Sequence, residues 1–451
     1  MRIILHGIAW LIAQMPDSIL ESICKGFARI ILLISKKRRQ VIYSNLDHAF
    51  PRTDRIQLDA WTRTSTARMV EMGLLSFCSG AISEGAIQRR FTLDPEARAI
   101  HLAAQAKKKP IVVLVPHLTA MEMMPWLPHA LPETLEAQVS CIYRPLENKT
   151  LDSHIRNNRT RFGMRLLSRK SGLNAAMKTL RSNGMVAILF DQNVRDSGVV
   201  TLFFNRVCTA TDLPGLMAQK FGASVLFAWF ERTGFWQGTY RAKLLDERWL
   251  ASPLHVTIGA QQRLESLLKQ NTFMIPDWLW SHNRWRGQTE PVKRLRIDHK
   301  KNKLNETLAL LGLTEVPRTF RLCLRLPDNH ELAPPLFEAV SQIRQHRPDA
   351  WIILVAHHKV LAEAESAGVG DEWVSKEDFR LLSYRFIDTV ITFRSATDED
   401  GLIARMKTSQ RFAATPKAKP RKGFTHTAPI PSETEPIEAA KLLLEHFGLP
   451  Q

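Results

Sequence analysis

Short β-branched apolar runs alternate with helical stretches along most of the chain, and this alternation limits the fold more than any other feature. KKKPIVVLVPH (107–117), QVSCIY (138–143), MVAILF (185–190) and ASVLFAWF (223–230) each hold a run of strand length. Between them, LDSHIRNNRTRF (151–162), GLNAAMKTLRSN (172–183) and DLPGLMAQKFG (212–222) read as helices. Strands alternating with helices of about 10–15 residues specify an α/β fold, a sheet flanked by crossover helices. Residues 55–105 upstream read as helical, with few Gly or Pro. A second α/β run follows the basic segment RWRGQTEPVKRLRIDHKKNK (284–303). Its strands are FRLCLRL (320–326), WIILVAH (351–357) and FIDTVITF (386–393), with a helix from Pro335 to His346. The Pro- and Lys-rich stretch 415–436 reads as a loop, and EAAKLLLEHFGL (438–449) as a closing helix stopped by Gly448. The 451 residues thus divide into an amino-terminal segment 1–35, an α/β domain 36–296, a linker 297–317 and a smaller Rossmann-like α/β domain 318–451.

The amino end carries two apolar runs, IILHGIAWLIAQ (3–14) and SILESICKGFARIILLI (18–34). Pro16 and Asp17 separate them, Lys25 and Arg29 stud the second, and neither reaches the roughly 20 apolar residues of a bilayer span. No small-residue cleavage site follows, so a removed signal peptide is not expected. Ile19, Leu20, Ile23, Phe27, Ile30 and Ile31 recur at helical spacing, and Lys36 to Arg39 form a basic cluster just beyond. That pattern suits a helix lying in a membrane interface with its cations at lipid phosphates. It also fits a core helix with a solvated basic end.

Lys and Arg number 62 against 44 Asp and Glu, a net charge of +18 that calls for an anionic partner. Nucleic acid, an anionic membrane face and an acidic carrier protein all qualify. No zinc-finger spacing, P-loop or RNA-recognition signature is present, which argues against nucleic acid. The cysteines (Cys24, Cys78, Cys141, Cys208, Cys323) are scattered without a CxxC pair, so neither a disulfide framework nor a zinc site is expected.

VLVPHLTAMEMMPW (113–126) is the stretch richest in chemistry. His117 sits just past a buried strand, where open α/β sheets place their ligands. Glu122 comes five residues later, about 140° away around a helix, so the two share no helix face. They meet if His117 lies on the loop and Thr119-Ala-Met-Glu122 forms a capping box that folds the carboxylate back. A capping carboxylate beside an ordinary loop histidine gives the same pattern. A His–carboxylate pair is a catalytic triad without its Ser: an acceptor hydroxyl supplies the oxygen, His takes its proton, and the carboxylate orients the ring. Met121, Met123, Met124 and Trp126 offer material for an apolar slot. Arg144, then Arg169 and Lys170, then Asp191 and Gln192 follow at or near strand ends. Such cations suit the phosphates and carboxylates of a lipid headgroup or a phosphopantetheine arm.

HLTAME, YRPLENKTLD, SRK before a helix, ILFDQN, LFFNRVCTAT…MAQKFGA and WLWSHNRWR occur in this order, preceded by RRQVIYSNLDHAFP (38–51). Together they resemble the bacterial lipid A biosynthesis acyltransferase family over about residues 1–290. The resemblance implies an enzyme on the cytoplasmic face of the inner membrane with a His117/Glu122 dyad and no metal or cofactor. It implies an acyl carrier protein thioester as donor and a Kdo-bearing lipid A precursor or related glycolipid as acceptor. Arg144, Arg169, Asp191 and Gln192 match recurring family positions, and with Lys170 and Arg284 they make up the expected substrate-binding set. The same chemistry on another phospholipid or glycolipid is an alternative. Residues 318–451 loosely resemble the first half of a heptosyltransferase-type glycosyltransferase. Their loop LPDNHELAPP (326–335) lacks the Gly-Asp pair of such enzymes, and no second nucleotide-sugar-binding half follows. No sugar transfer is expected from them; an enzyme with both activities is the remaining alternative.

Overall fold

The computed structural model describes residues 2–131, 138–168, 172–194, 198–285, 301–331, 333–393, 399–415 and 422–429, together with Glu445. The chain forms two compact units. Met1–Leu46, Arg52–Val194 and Ala210–Asn283 make up the first; Asp47–Pro51, Arg195–Thr209 and Arg284–Gln451 make up the second. Of the linker expected at 297–317, residues 297–300 lie outside the described residues, and Lys301–Leu310 is a helix of the second unit.

The strands of the amino-terminal two thirds are β1 (Phe91–Leu93), β2 (Ile111–Val115), β3 (Val139–Tyr143), β4 (Arg165–Ser168), β5 (Met185–Leu189), β6 (Val199–Phe203), β7 (Arg206–Ala210), β8 (Ser224–Gly234) and β9 (Gln237–Leu244). Seven of them form one sheet in the order β1-β9-β8-β2-β5-β3-β4. β8, β2, β5, β3 and β4 are mutually parallel, and β9 returns antiparallel to β8. Every residue of β2 is buried, as a central parallel strand covered on both faces requires. β5 lies directly beside β2 with Val115 opposite Leu189, so the two strands end level with one another. β1 falls inside the region read as helical, because three residues are too few to show alternation.

Local signals set the crossover helices. Asn148 caps Lys149–Thr160 by accepting from the N–H groups of Thr150 and Leu151. Gly222, at φ +59°, ends Leu213–Phe221 in the left-handed conformation that glycine adopts freely. At the amino end, Arg2–Ala13 and Asp17–Ile34 are two helices bent by 113°, and no single described helix is long and apolar enough to cross a membrane. Ala9, Leu20, Cys24, Ala28 and Leu32 are buried, whereas Trp10, Leu11, Phe27, Ile30, Leu33 and Ile34 are exposed. Asp17 accepts from both terminal nitrogens of Arg90, at 3.0 and 2.7 Å, which pins the second helix at its start.

In the second unit, β10 (Phe320–Arg325), β11 (Ala350–Ala356), β12 (Glu372–Ser375), β13 (Ile387–Thr392), β14 (Thr408–Thr415) and β15 (His426–Pro429) form a sheet in the order β12-β11-β10-β13-β14-β15, parallel throughout. Alternate residues feed two separate cores: Leu322, Leu324, Ile352 and Leu354 one, Cys323, Ile353 and Val355 the other. The expectation of a loop over 415–436 is corrected at its centre, since His426–Pro429 pairs with β14. Four residues flanked by Lys and Pro give no apolar signal; backbone pairing alone makes them a strand. The closing helix expected at 438–449 lies outside the described residues except for Glu445.

The hairpin β6–β7 turns through Phe204 and Asn205, both at positive φ as a two-residue type I′ turn requires. Val200, Leu202 and Val207 pack with Leu304 and Leu308 of the helix Lys301–Leu310. Within the same unit, buried Asp388 accepts from Arg206 Nη2 at 2.6 Å, His48 Nε2 at 3.2 Å and the Arg321 N–H at 2.9 Å. Burial, reinforced by the Arg206 charge, lowers His48 to about 4, so its ring is neutral and donates. Burial would raise Asp388, but Arg206 and His48 hold it well below the carboxylate range.

Candidate active site

His117 leaves the end of β2 and Asp191 the end of β5, each two residues beyond the paired Val115 and Leu189. The level strand ends bring the two side chains together. Asp191 Oδ1 lies 2.6 Å from His117 Nδ1, and its Oδ2 accepts the His117 backbone N–H at 2.8 Å. Trp278 Nε1 donates to the same Oδ2 at 2.7 Å. Burial pushes the Asp191 carboxyl up, but His117 and these donors outweigh it and bring it down to about 2. An ionised Asp191 can only accept from Nδ1, which keeps a ring proton on that atom. Gln192 Nε2 faces the other ring nitrogen, Nε2, at 3.1 Å. Asp191 and Gln192 thus hold opposite sides of one imidazole.

Glu122, expected at the imidazole, pairs with Arg159 instead. Arg159 Nε donates to Glu122 Oε2 at 3.0 Å, and its Nη2 contacts Glu122 Oε1. The capping box does not form: Thr119–Trp126 is a 3-10 helix, and the Thr119 hydroxyl donates to Asp277 Oδ1 at 3.2 Å. Three residues per turn place Glu122 beneath Thr119 rather than back toward the loop. Met123 and Trp126 are buried in the core, with Met121 and Met124 packed against it. The cleft beside His117 draws its methionines, Met69 and Met72, from the helix Arg55–Cys78 instead.

The remaining expected residues separate. Arg144 is exposed just past β3. Arg169 and Lys170 lie outside the described residues. Arg284 belongs to the second unit, fully buried, donating to the Thr209 carbonyl at 2.5 Å and lying over the Phe203 ring. Its expected substrate contact is replaced by packing, because no face of it reaches solvent.

Residues not singled out in the sequence complete the site. The Leu279 N–H donates to the His117 carbonyl at 3.1 Å, and His282 Nε2 accepts the Asn193 N–H at 2.8 Å. Asn45 Nδ2 donates to the carbonyls of Trp280 and His282, each at 2.8 Å. The segment 278–282 therefore ties the loops of His117 and Asn193 together, through residues of WLWSHNRWR and Asn45 of RRQVIYSNLDHAFP. Arg159, Arg68 and Asp277 carried no comparable signal. Among the described residues no group of three or more His, Cys, Asp or Glu is placed to hold a metal ion.

Residues 2–287 match the family described as bacterial lipid A biosynthesis acyltransferase. The chain belongs to this family. As an acyltransferase it is similar to the lipid A biosynthesis lauroyltransferase of Escherichia coli, with 23% identity over 295 residues, 63% of this chain and 91% of that protein. It is also similar to a lipid A biosynthesis acyltransferase of Haemophilus influenzae, with 25% identity over 217 residues, 47% of this chain and 64% of that protein. The match ends at residue 287, so the acyltransferase carries an extension beyond the family's span.

Proposed function

We propose that the enzyme moves a fatty acyl chain from an acyl carrier protein thioester to a hydroxyl of a lipid A precursor or related glycolipid. The observation that carries the chemistry is the His117–Asp191 pair with Nε2 open to a hydrogen-bonding partner. The acceptor hydroxyl takes the place of the Gln192 amide at Nε2. His117 removes its proton as the oxygen attacks the thioester carbonyl, and Asp191 stabilises the imidazolium. The tetrahedral intermediate collapses with loss of the thiolate, which recovers the proton from His117. No covalent acyl-enzyme forms. Glu122, clamped to Arg159, positions the turn after His117; Arg144, Arg169 and Lys170 meet anionic groups of the substrates.

The reading places the enzyme on the cytoplasmic face of the inner membrane. Its support is the exposed apolar side of the two amino-terminal helices and the basic cluster Lys36 to Arg39. Residues 318–451 are read as a Rossmann-like half-domain without sugar-transfer chemistry. The strand order reverses between β10 and β13, where such sheets bind ligands. The fully buried Arg325 stands at the end of β10 with Nε 2.8 Å from Glu399 and Nη1 2.9 Å from Asp328, so protein groups satisfy that position internally.

The test is direct. Purified enzyme, acyl carrier protein thioester and a lipid A precursor should yield a product heavier by one acyl chain in mass spectrometry. Absence of acylated product across a panel of glycolipid and phospholipid acceptors would overturn the reading.

A further inference from the structure

The helix Arg55–Cys78 turns Ser65, Arg68, Met69 and Met72 toward one cleft, a spacing that keeps them on a single helical face. His117, Thr119 and the segment from Asp277 to Ser281 form the rest of its wall. Among the described lining residues, Arg68 is the Lys or Arg side chain and Asp277 the carboxylate. Arg68 Nη1 donates to Glu71 Oε2 at 2.9 Å. Arg68 Nε lies 3.3 Å from Asp277 Oδ1 yet makes no hydrogen bond among the described residues, although the atom is buried. A guanidinium presents five N–H donors in a fixed fork, and this one has committed few of them.

The two carboxylates nearby are not equivalent. Glu71 is fixed by Arg68, by Arg232 Nε at 2.9 Å and by the Trp236 N–H at 3.3 Å. Asp277 holds its charge weakly: burial lifts it to about 6 against the pull of Arg68 and Arg232. With both carboxylates ionised, the group of Arg68, Arg232, Glu71 and Asp277 is neutral. With Asp277 protonated it carries one net positive charge, in the cleft that His117 also lines. An anion entering the cleft competes with Asp277 for the Arg68 fork, and Asp277 takes up a proton to keep the group neutral.

We propose that Arg68 is a specificity-determining residue that binds a phosphate-type anion of one reactant in the cleft beside His117, displacing Asp277. The anion comes from the glycolipid acceptor or from the phosphopantetheine arm of the donor; both offer the tetrahedral oxygens that a guanidinium fork grips. The assignment rests on the acyl-transfer reading, and its test separates the two.

Full-length enzyme is assayed with paired acceptors that differ by one phosphate. Donors are likewise paired: an acyl carrier protein thioester against an acyl-N-acetylcysteamine thioester, which lacks phosphate. Arg68→Gln should raise KM roughly 10- to 100-fold for the phosphate-bearing form of one reactant and leave kcat within about threefold. The reactant affected names the source. Asp277→Asn should act in the opposite direction, lowering that KM, because it removes the competing carboxylate. Arg68→Lys should fall between, retaining charge without the fork. Equal KM changes with and without phosphate, or equal losses in Arg68→Gln and Asp277→Asn, overturn the proposal and assign the pair to folding. Binding of the two acceptors and two donors to each variant is measured in parallel without turnover. A wild type that prefers a phosphate-bearing ligand through Arg68 yet acylates nothing would refute acyl transfer and leave the subsite standing; loss of that preference in the wild type would refute the subsite.

Discussion

His117 and Asp191 meet at 2.6 Å across 74 residues of chain. The contact follows from β2 and β5 being adjacent and level, with the chain visiting β3 and β4 before returning. Asp191→Asn keeps the shape but removes the carboxylate that fixes the tautomer. Its kcat, and that of His117→Ala, should fall roughly 100- to 10,000-fold in protein that remains folded by circular dichroism. An Asp191→Asn enzyme turning over within threefold of wild type would remove His117 and Asp191 as a catalytic pair.

Glu122 answers to Arg159, so its removal acts on stability as well as turnover. Glu122→Ala leaves a mostly buried guanidinium without its carboxylate and should cost on the order of 3 kcal/mol. Denaturant unfolding of the single variant and of the double variant with Arg159→Met provides the check. The double variant should regain much of the loss; if it does not, the two residues are not energetically coupled.

His48 gives the second unit an acid sensitivity with a defined sign. Its folded pKa, about 4, lies below the ordinary 6.5 because burial and Arg206 disfavour the cation. The stabilisation is fully present above pH 6.5 and is lost as pH falls toward 4. Thermal melts across that window should decline, and His48→Gln should flatten the decline. An identical slope in the variant would show that other groups set it.

Asp388 is the carboxylate for Arg206 and His48, both within the span matched to the acyltransferase family. Deleting 318–451 removes it, along with the six-stranded sheet of the unit that these segments belong to. The shortened chain should be markedly less stable or insoluble, and Asp388→Ala in the full chain should lose several kcal/mol on unfolding. Wild-type melting of either protein would show that the extension is dispensable to the fold.

The exposed apolar side of the amino-terminal helices predicts membrane adhesion that core-preserving substitutions abolish. Phe27→Asp with Ile30→Asp alters exposed positions and spares buried Cys24 and Ala28. Flotation with anionic vesicles should fall at least tenfold for the double variant while its melting stays close to wild type. Equal flotation would place the attachment elsewhere.

Sequence alone determined what depends on nearest neighbours along the chain. β2, β3, β5 and β8 announce themselves as β-branched runs, and helices separate them. His117 was legible because a strand-end histidine in an α/β pattern has a defined place in space. β14 and β15 were not legible, because backbone ladders rather than side-chain alternation hold them. Which carboxylate meets His117 depends on strand order. Glu122, five residues away, turns under a 3-10 helix to Arg159, while Asp191 arrives from the adjacent strand. Arg284, expected among the substrate-binding residues, is buried by packing against Phe203 and Thr209. Arg68 and Asp277 carry no local mark: a helix and a distant segment bring them to one cleft. Spacing along a chain fixes which way side chains point within one element; which elements become neighbours is decided by burying apolar faces together, and only the tertiary structure records that.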